Sequence, residues 1–157
     1  QHGYDLPGIG ANFIGWCGDE DSEIGTGFHT FNLYSSTAAN WPAGALPTYV
    51  TKGKLAGINW LINNISSFSG FGNVTLTTLF VTPGALSPAQ GEIFQQAVWG
   101  VINGNSPGGV AGDMKTAALA HTDFVPLPGQ YAAVVMMKED NSKITPFYQM
   151  IFYMVDP

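Results

Sequence analysis

The spacing of apolar residues changes period several times along this chain. Residues 11–17, ANFIGWC, alternate loosely and read as a strand, and residues 28–34, FHTFNLY, are aromatic and β-prone and read as another. Between them, residues 18–27, GDEDSEIGTG, form an acid-rich loop, and a Pro/Ala/Gly loop follows over about 36–48. From 51 to 65 the period becomes helical, with Leu55, Ile58, Leu61, Ile62 and Ile65 on one face and Thr51 or Thr48 as cap. Residues 66–73 read as a Ser/Gly/Phe loop, and residues 74–81, VTLTTLFV, predict a strand.

The clearest helix spans 87–103. Ser87-Pro88 supplies an N-cap and a proline at the first helical position. Ile93, Ala97, Val98, Val101 and Ile102 form its apolar stripe, Glu92 sits in its early turns, and Asn103-Gly104 ends it. A shorter helix is predicted over 111–120, then a rigid turn, Pro126-Leu127-Pro128-Gly129. Residues 130–138 and 144–155 are β runs that read as a hairpin joined by Glu139-Asp140-Asn141-Ser142.

This order predicts one α+β domain over 1–157, with an antiparallel sandwich- or barrel-like sheet and two to three helices. Residues 11–157 make the globule. Residues 1–10, QHGYDLPGIG, read as an exchangeable arm, either flexible or a strand that pairs only with a partner.

Charge narrows the function classes. Charged residues are 10% of the chain, against roughly 25% in ordinary globular proteins. Net charge is −6, and all five cations are lysines. Nucleic acid and anionic lipid both call for a basic face, so neither is an expected partner. No apolar run reaches the roughly 20 residues of a membrane span. The opening Gln1 reads as a processed, mature chain, and Asn64-Ile65-Ser66 and Asn73-Val74-Thr75 are sequons, with Asn64 and Asn73 as candidate glycan acceptors. Together with the Thr/Asn/Gly/Ser-rich composition, these features predict an extracellular, cell-surface location.

Cys17 is the one cysteine. It has three readings: a buried small hydrophobe, an intermolecular disulfide, or a bond to something other than sulfur. In the predicted 87–103 helix, Gln95 and Trp99 lie one turn apart on one face. A buried amide needs its hydrogen bonds satisfied. One way to remove that demand is attack by a nearby thiolate, which expels ammonia and leaves a thioester; His29 or His121 could assist. Asp19, Asp21 and Glu23 offer hard oxygen ligands for Ca²⁺, although a solvated loop is the commoner reading and the order of an EF-hand is absent. No other cofactor is expected. Lys54 and Lys115 are candidates, by position alone, for an isopeptide bond. Trp16, Trp41, Trp60 and Trp99 could line a sugar site but are more often core residues. No GxSxG, HExxH, P-loop or GxGxxG occurs, so an enzyme is not the expected reading.

Four segments occur in a telling order: Gly15-Trp16-Cys17, Ile58-Asn59-Trp60-Leu61-Ile62-Asn63-Asn64, Phe94-Gln95-Gln96-Ala97-Val98-Trp99 and Phe124-Val125-Pro126-Leu127-Pro128-Gly129-Gln130. From about residue 13 onward, the chain resembles the Cys–Gln thioester domain family of bacterial surface and exported proteins. The resemblance implies that Cys17 and Gln95 form the thioester, with Trp16 and Trp99 around it, and that a target amine attacks it. Phe94 departs from the small polar residue common before this Gln in adhesins.

The expected function is a non-enzymatic extracellular surface protein with a thioester-domain-like fold. It would be a self-assembling subunit of a filament or surface layer, joined by terminal-strand exchange into a homo-oligomer. The alternatives are a covalent adhesin that captures surface amines and a carbohydrate-binding module.

Overall fold

Thr51 and Ser87 begin the two helices that organise the fold. The computed structural model describes residues 2–5, 12–18, 31–80, 84–138 and 150–155. Helix α1 spans Lys52–Asn63 and starts where the Thr51 side chain accepts from the backbone N–H of Lys54 at 3.2 Å. A 3₁₀ turn follows over Ile65–Ser67, and a short helix, α2, over Leu76–Phe80. Helix α3, Pro88–Asn103, opens with a reciprocal capping box. Gln90 N–H donates to Ser87 Oγ at 3.2 Å, and Ser87 N–H donates to Gln90 Oε1 at 3.0 Å. It ends at Gly104, whose φ of 86° is the left-handed conformation glycine adopts without strain. Helix α4 covers Gly109–Leu119.

Helices α1, α3 and α4 pack against one another. α1 and α4 approach closely at Gly57, where a Cβ would stand 2.5 Å from the carbonyl oxygen of Ala118. Leu55, Ile58, Leu61, Ile62, Ala97, Val101, Ile102, Met114 and Ala118 fill the core between them.

The described strands are β1 (His2–Asp5), β2 (Asn12–Cys17), β3 (Phe31–Ser35), β4 (Ala132–Lys138) and β5 (Met150–Val155). They form one sheet in the order β1-β2-β5-β4-β3, with every neighbouring pair antiparallel. α1 packs on β4, and α2 and α3 pack on β2. Ala133, Val135 and Met137 of β4 join the main core, while Ala132, Val134 and Met136 on the opposite face are buried too. A continuous apolar run is what burial on both faces requires.

Several expectations change. The described strands make one open sheet rather than a sandwich or barrel, and the described helices are four rather than two to three. The strand expected at 74–81 is helix α2. Thr75 Oγ1 accepts from Thr78 N–H at 3.2 Å, and the 76, 79, 80 spacing turns Leu79 and Phe80 into the core. Tertiary burial and a cap thus override the β preference of Val and Thr. Residues His2–Asp5 of the arm pair with the chain's own β2, His2 opposite Gly15. The second expected strand begins at Phe31 among the described residues. The acidic loop beyond Gly18, residues 28–30, and the hairpin connection at 139–149 lie outside the described residues. Among the described residues, no helix is long and apolar enough to cross a membrane.

Candidate functional site

Trp16 and Phe94 bring β2 and α3 together. Trp16 is 1% exposed, its indole Nε1 donates to Leu79 O at 3.2 Å, and its ring meets Phe94 edge-on with centroids 4.8 Å apart. Phe94, which the sequence marks only as a departure, is therefore the anchor that seats α3 on β2. The next residue on each element completes the contact, so the Trp-Cys and Phe-Gln dipeptides meet pair to pair.

Cys17 N–H donates to Gln95 Oε1 at 3.0 Å, and Gln95 Nε2 donates to Cys17 O at 2.5 Å. One side-chain amide thus satisfies both backbone polar groups of one strand residue. Cys17 is the last residue of β2, two positions beyond Gly15, which pairs with His2.

The clasp brings into one place the groups that an acyl transfer would use. Gln95 Cδ lies between the two hydrogen bonds and so faces the Cα of Cys17, with Sγ two bonds from that Cα. Attack by the Cys17 thiolate on Cδ would form the C–S bond. The negative oxygen that develops would be Oε1, which already accepts from Cys17 N–H, as an oxyanion donor requires. Collapse would break the C–N bond, and the amide nitrogen, taking up a proton, would leave as ammonia. Cys17 and Gln95 are both half-buried.

Trp99 follows Gln95 by one turn. Its Nε1 is buried without a hydrogen-bond partner among the described residues, and its side chain lines a cavity of about 320 Å³ with Gln96, Asn105, Ser106 and Pro107. His121 is engaged elsewhere: it stacks on Trp60 with centroids 4.0 Å apart, and its Nδ1 lies 2.8 Å from Ala117 O. His29 and the proposed calcium ligands Asp19, Asp21 and Glu23 lie outside the described residues.

Both candidate isopeptide lysines serve the C-terminal end of α3 instead. Lys54 Nζ donates to Ile102 O at 2.6 Å and to Tyr49 O at 2.9 Å, and Lys115 Nζ donates to Asn105 O at 2.5 Å and Gly104 O at 3.3 Å. Two cations therefore meet the negative end of the helix dipole. Asn64 caps the end of α1, and its Nδ2, the atom a glycan would join, donates to Trp60 O at 2.8 Å. Asn73 sits in an exposed turn. The four tryptophans do not converge on one sugar site: Trp16 is core, Trp60 lies under His121, and Trp41 donates to Ser35 O at 2.9 Å.

Sequence reasoning missed a second clasp. Tyr131 N–H donates to Asn63 Oδ1 at 2.9 Å, and Asn63 Nδ2 donates to Tyr131 O at 2.8 Å. One turn earlier, Asn59 Oδ1 accepts from Ala133 N–H at 2.8 Å. The signal was two asparagines four apart in an apolar helix, where Asn is unfavourable unless its side chain has a task.

Compared with protein families, curated proteins and solved structures, the chain matches none.

Proposed function

We propose that this chain is a non-enzymatic extracellular surface domain of the Cys–Gln thioester type, in which Cys17 and Gln95 close an internal thioester. The observation that carries this reading is the clasp: Gln95 spans the two backbone polar groups of Cys17, its carbonyl oxygen already on a donor. The half-exposure of both residues favours one use of the bond in particular. A small amine on a target surface could approach and take the Gln95 acyl group as an amide, releasing the Cys17 thiol.

The test is peptide mapping of the native protein by mass spectrometry. A thioester yields the Cys17 and Gln95 peptides joined and one ammonia lighter, and methylamine separates them. An intact Gln95 and an alkylatable Cys17 after unfolding would overturn the reading. Intact mass is a poor substitute, because Gln1 also loses ammonia when it cyclises.

A second use, as a repeating subunit of a filament or surface layer, is supported by the place of β1. Among the described residues it is an outermost strand and pairs with β2 through four residues. The same pairing offered to a neighbouring copy would join subunits head to tail. Deleting residues 1–10 should leave a folded monomer that does not polymerise; persisting polymers would remove the arm from the account.

A further inference from the structure

The Cys17–Gln95 clasp uses one particular hydrogen. Gln95 Oε1 accepts from Cys17 N–H at 3.0 Å, and Gln95 Nε2 donates to Cys17 O at 2.5 Å. A side-chain amide is planar, with one of its two hydrogens on the oxygen's side of the C–N bond and the other on the far side. An amide that offers both its oxygen and a hydrogen to the backbone of one residue must use the hydrogen on the oxygen's side. The second hydrogen of Gln95 therefore points away from the Cys17 backbone.

Capture of an amine, which rests on the proposed thioester, changes what stands in that place. A primary amine attacks Gln95 Cδ and forms a C–N bond. The C–S bond breaks, and the sulfur leaves as a thiolate that takes up the proton the amine gives. The new amide nitrogen then carries one hydrogen and one carbon substituent. A secondary amide keeps its substituent on the oxygen's side, because the opposite, cis form is disfavoured by about seventyfold. The substituent thus stands where the hydrogen on Cys17 O stood, and the one remaining hydrogen faces away. Ammonia differs. It returns a primary amide, with a hydrogen on each side, and so restores the clasp as this structure shows it.

We infer that the clasp is a latch: capture of a primary amine unfastens Cys17 from α3, whereas ammonia refastens it. Both residues are half-buried, so the Gln95 side chain has solvent into which to turn. Trp16 and Phe94, in edge-on contact one residue before each partner, keep β2 and α3 together while the latch opens. Attachment to a target is registered at the end of one strand, and the core stays as it was.

The test introduces the nitrogen with its own label. The native protein, at natural isotope abundance, is treated with ¹⁵N-ammonia or with ¹⁵N-methylamine, and the label is followed by NMR. The reaction places it at residue 95 alone. The ammonia product should show two N–H signals, one of which exchanges with water about tenfold or more slowly than the other. The methylamine product should show one N–H signal that exchanges at the faster rate, and a lower urea midpoint than the ammonia product. A slowly exchanging methylamide N–H would mean that the amide is cis and the clasp has closed over the target. That result would overturn the latch and leave the thioester standing. Two equally fast signals from the ammonia product would overturn it too, since the clasp would not have re-formed. No incorporation of either label would overturn the thioester reading itself, and the latch with it.

Discussion

Gln95 on Cys17 and Asn63 on Tyr131 are the same device at opposite ends of the sheet. In each, a helix contributes one side-chain amide that pairs with the N–H and C=O of a single residue in extended backbone. Cys17 ends β2 opposite Ile151, and Tyr131 precedes β4, which begins opposite Val155. The hydrogen-bond lengths are comparable. What differs is the strand residue: one bears a thiol beside an acyl carbon, and the other bears a phenol with no such chemistry. An amide clasp is therefore sufficient as a structural joint, and in the proposed reading placing Cys in it adds the reactivity.

The largest effect that separates the two clasps is expected from Cys17→Ala. It leaves the Gln95 amide intact to make both backbone hydrogen bonds but removes the proposed cross-link, which would close a loop of roughly 80 residues. By the chain-entropy relation for disulfides, that is worth roughly 4 kcal/mol, seen as a lower urea midpoint. Gln95→Ala should cost more, because it also removes the side chain that pairs with the Cys17 backbone, and the double variant should cost little more than Gln95→Ala alone. If Cys17→Ala costs nothing and the Gln95 peptide is intact in the parent, the two clasps are alike and the thioester reading fails.

Asn63→Ala comes next, at about 2 kcal/mol. It strands Tyr131's partly buried N–H and C=O and removes the bond from Asn63 Nδ2 to Asn59 O. Its cost should add to that of Cys17→Ala, since the sites share no partner. Peptide mapping of Asn63→Ala should show the same Cys17–Gln95 link as the parent. A lost link would show that seating α1 governs the reactive clasp, and would end the idea of two independent joints.

The sequence revealed these regions unequally. Helices α1 and α3 were readable because their apolar spacing and their caps at Thr51 and Ser87 agree. Helix α2 was not, because five residues are too few for a period to outweigh Thr and Val, and only burial of Leu79 and Phe80 decides it. The strand order was also beyond reach, since β2 lies beside β5, far away in sequence, and nothing local encodes that pairing. Cys17 and Gln95 could be paired through the chemistry of their residue types and through a resemblance. Asn63 and Tyr131 could not, because an amide meeting a backbone leaves no mark on the partner's identity: any residue at 131 other than proline offers the same N–H and C=O.

The smallest effect tests whether the joints are coupled through the helices that carry them. Ser87→Ala removes half of the capping box of α3, worth about 1 kcal/mol, without touching Gln95 or α1. α3 supports the Cys17 clasp, whereas the Asn63 clasp hangs on α1. If opening is local, amide exchange at Cys17 should speed up about fivefold, and exchange at Tyr131 should stay as in the parent. Equal acceleration at both would mean that neither clasp opens without the whole core. The Trp16–Phe94 contact would then be what closes the reactive site, with the cap acting only through global stability. Unequal acceleration would make α3 a separately adjustable arm, so that changes in its first turn tune how long Gln95 stays against Cys17 and leave the sheet's other end as it was.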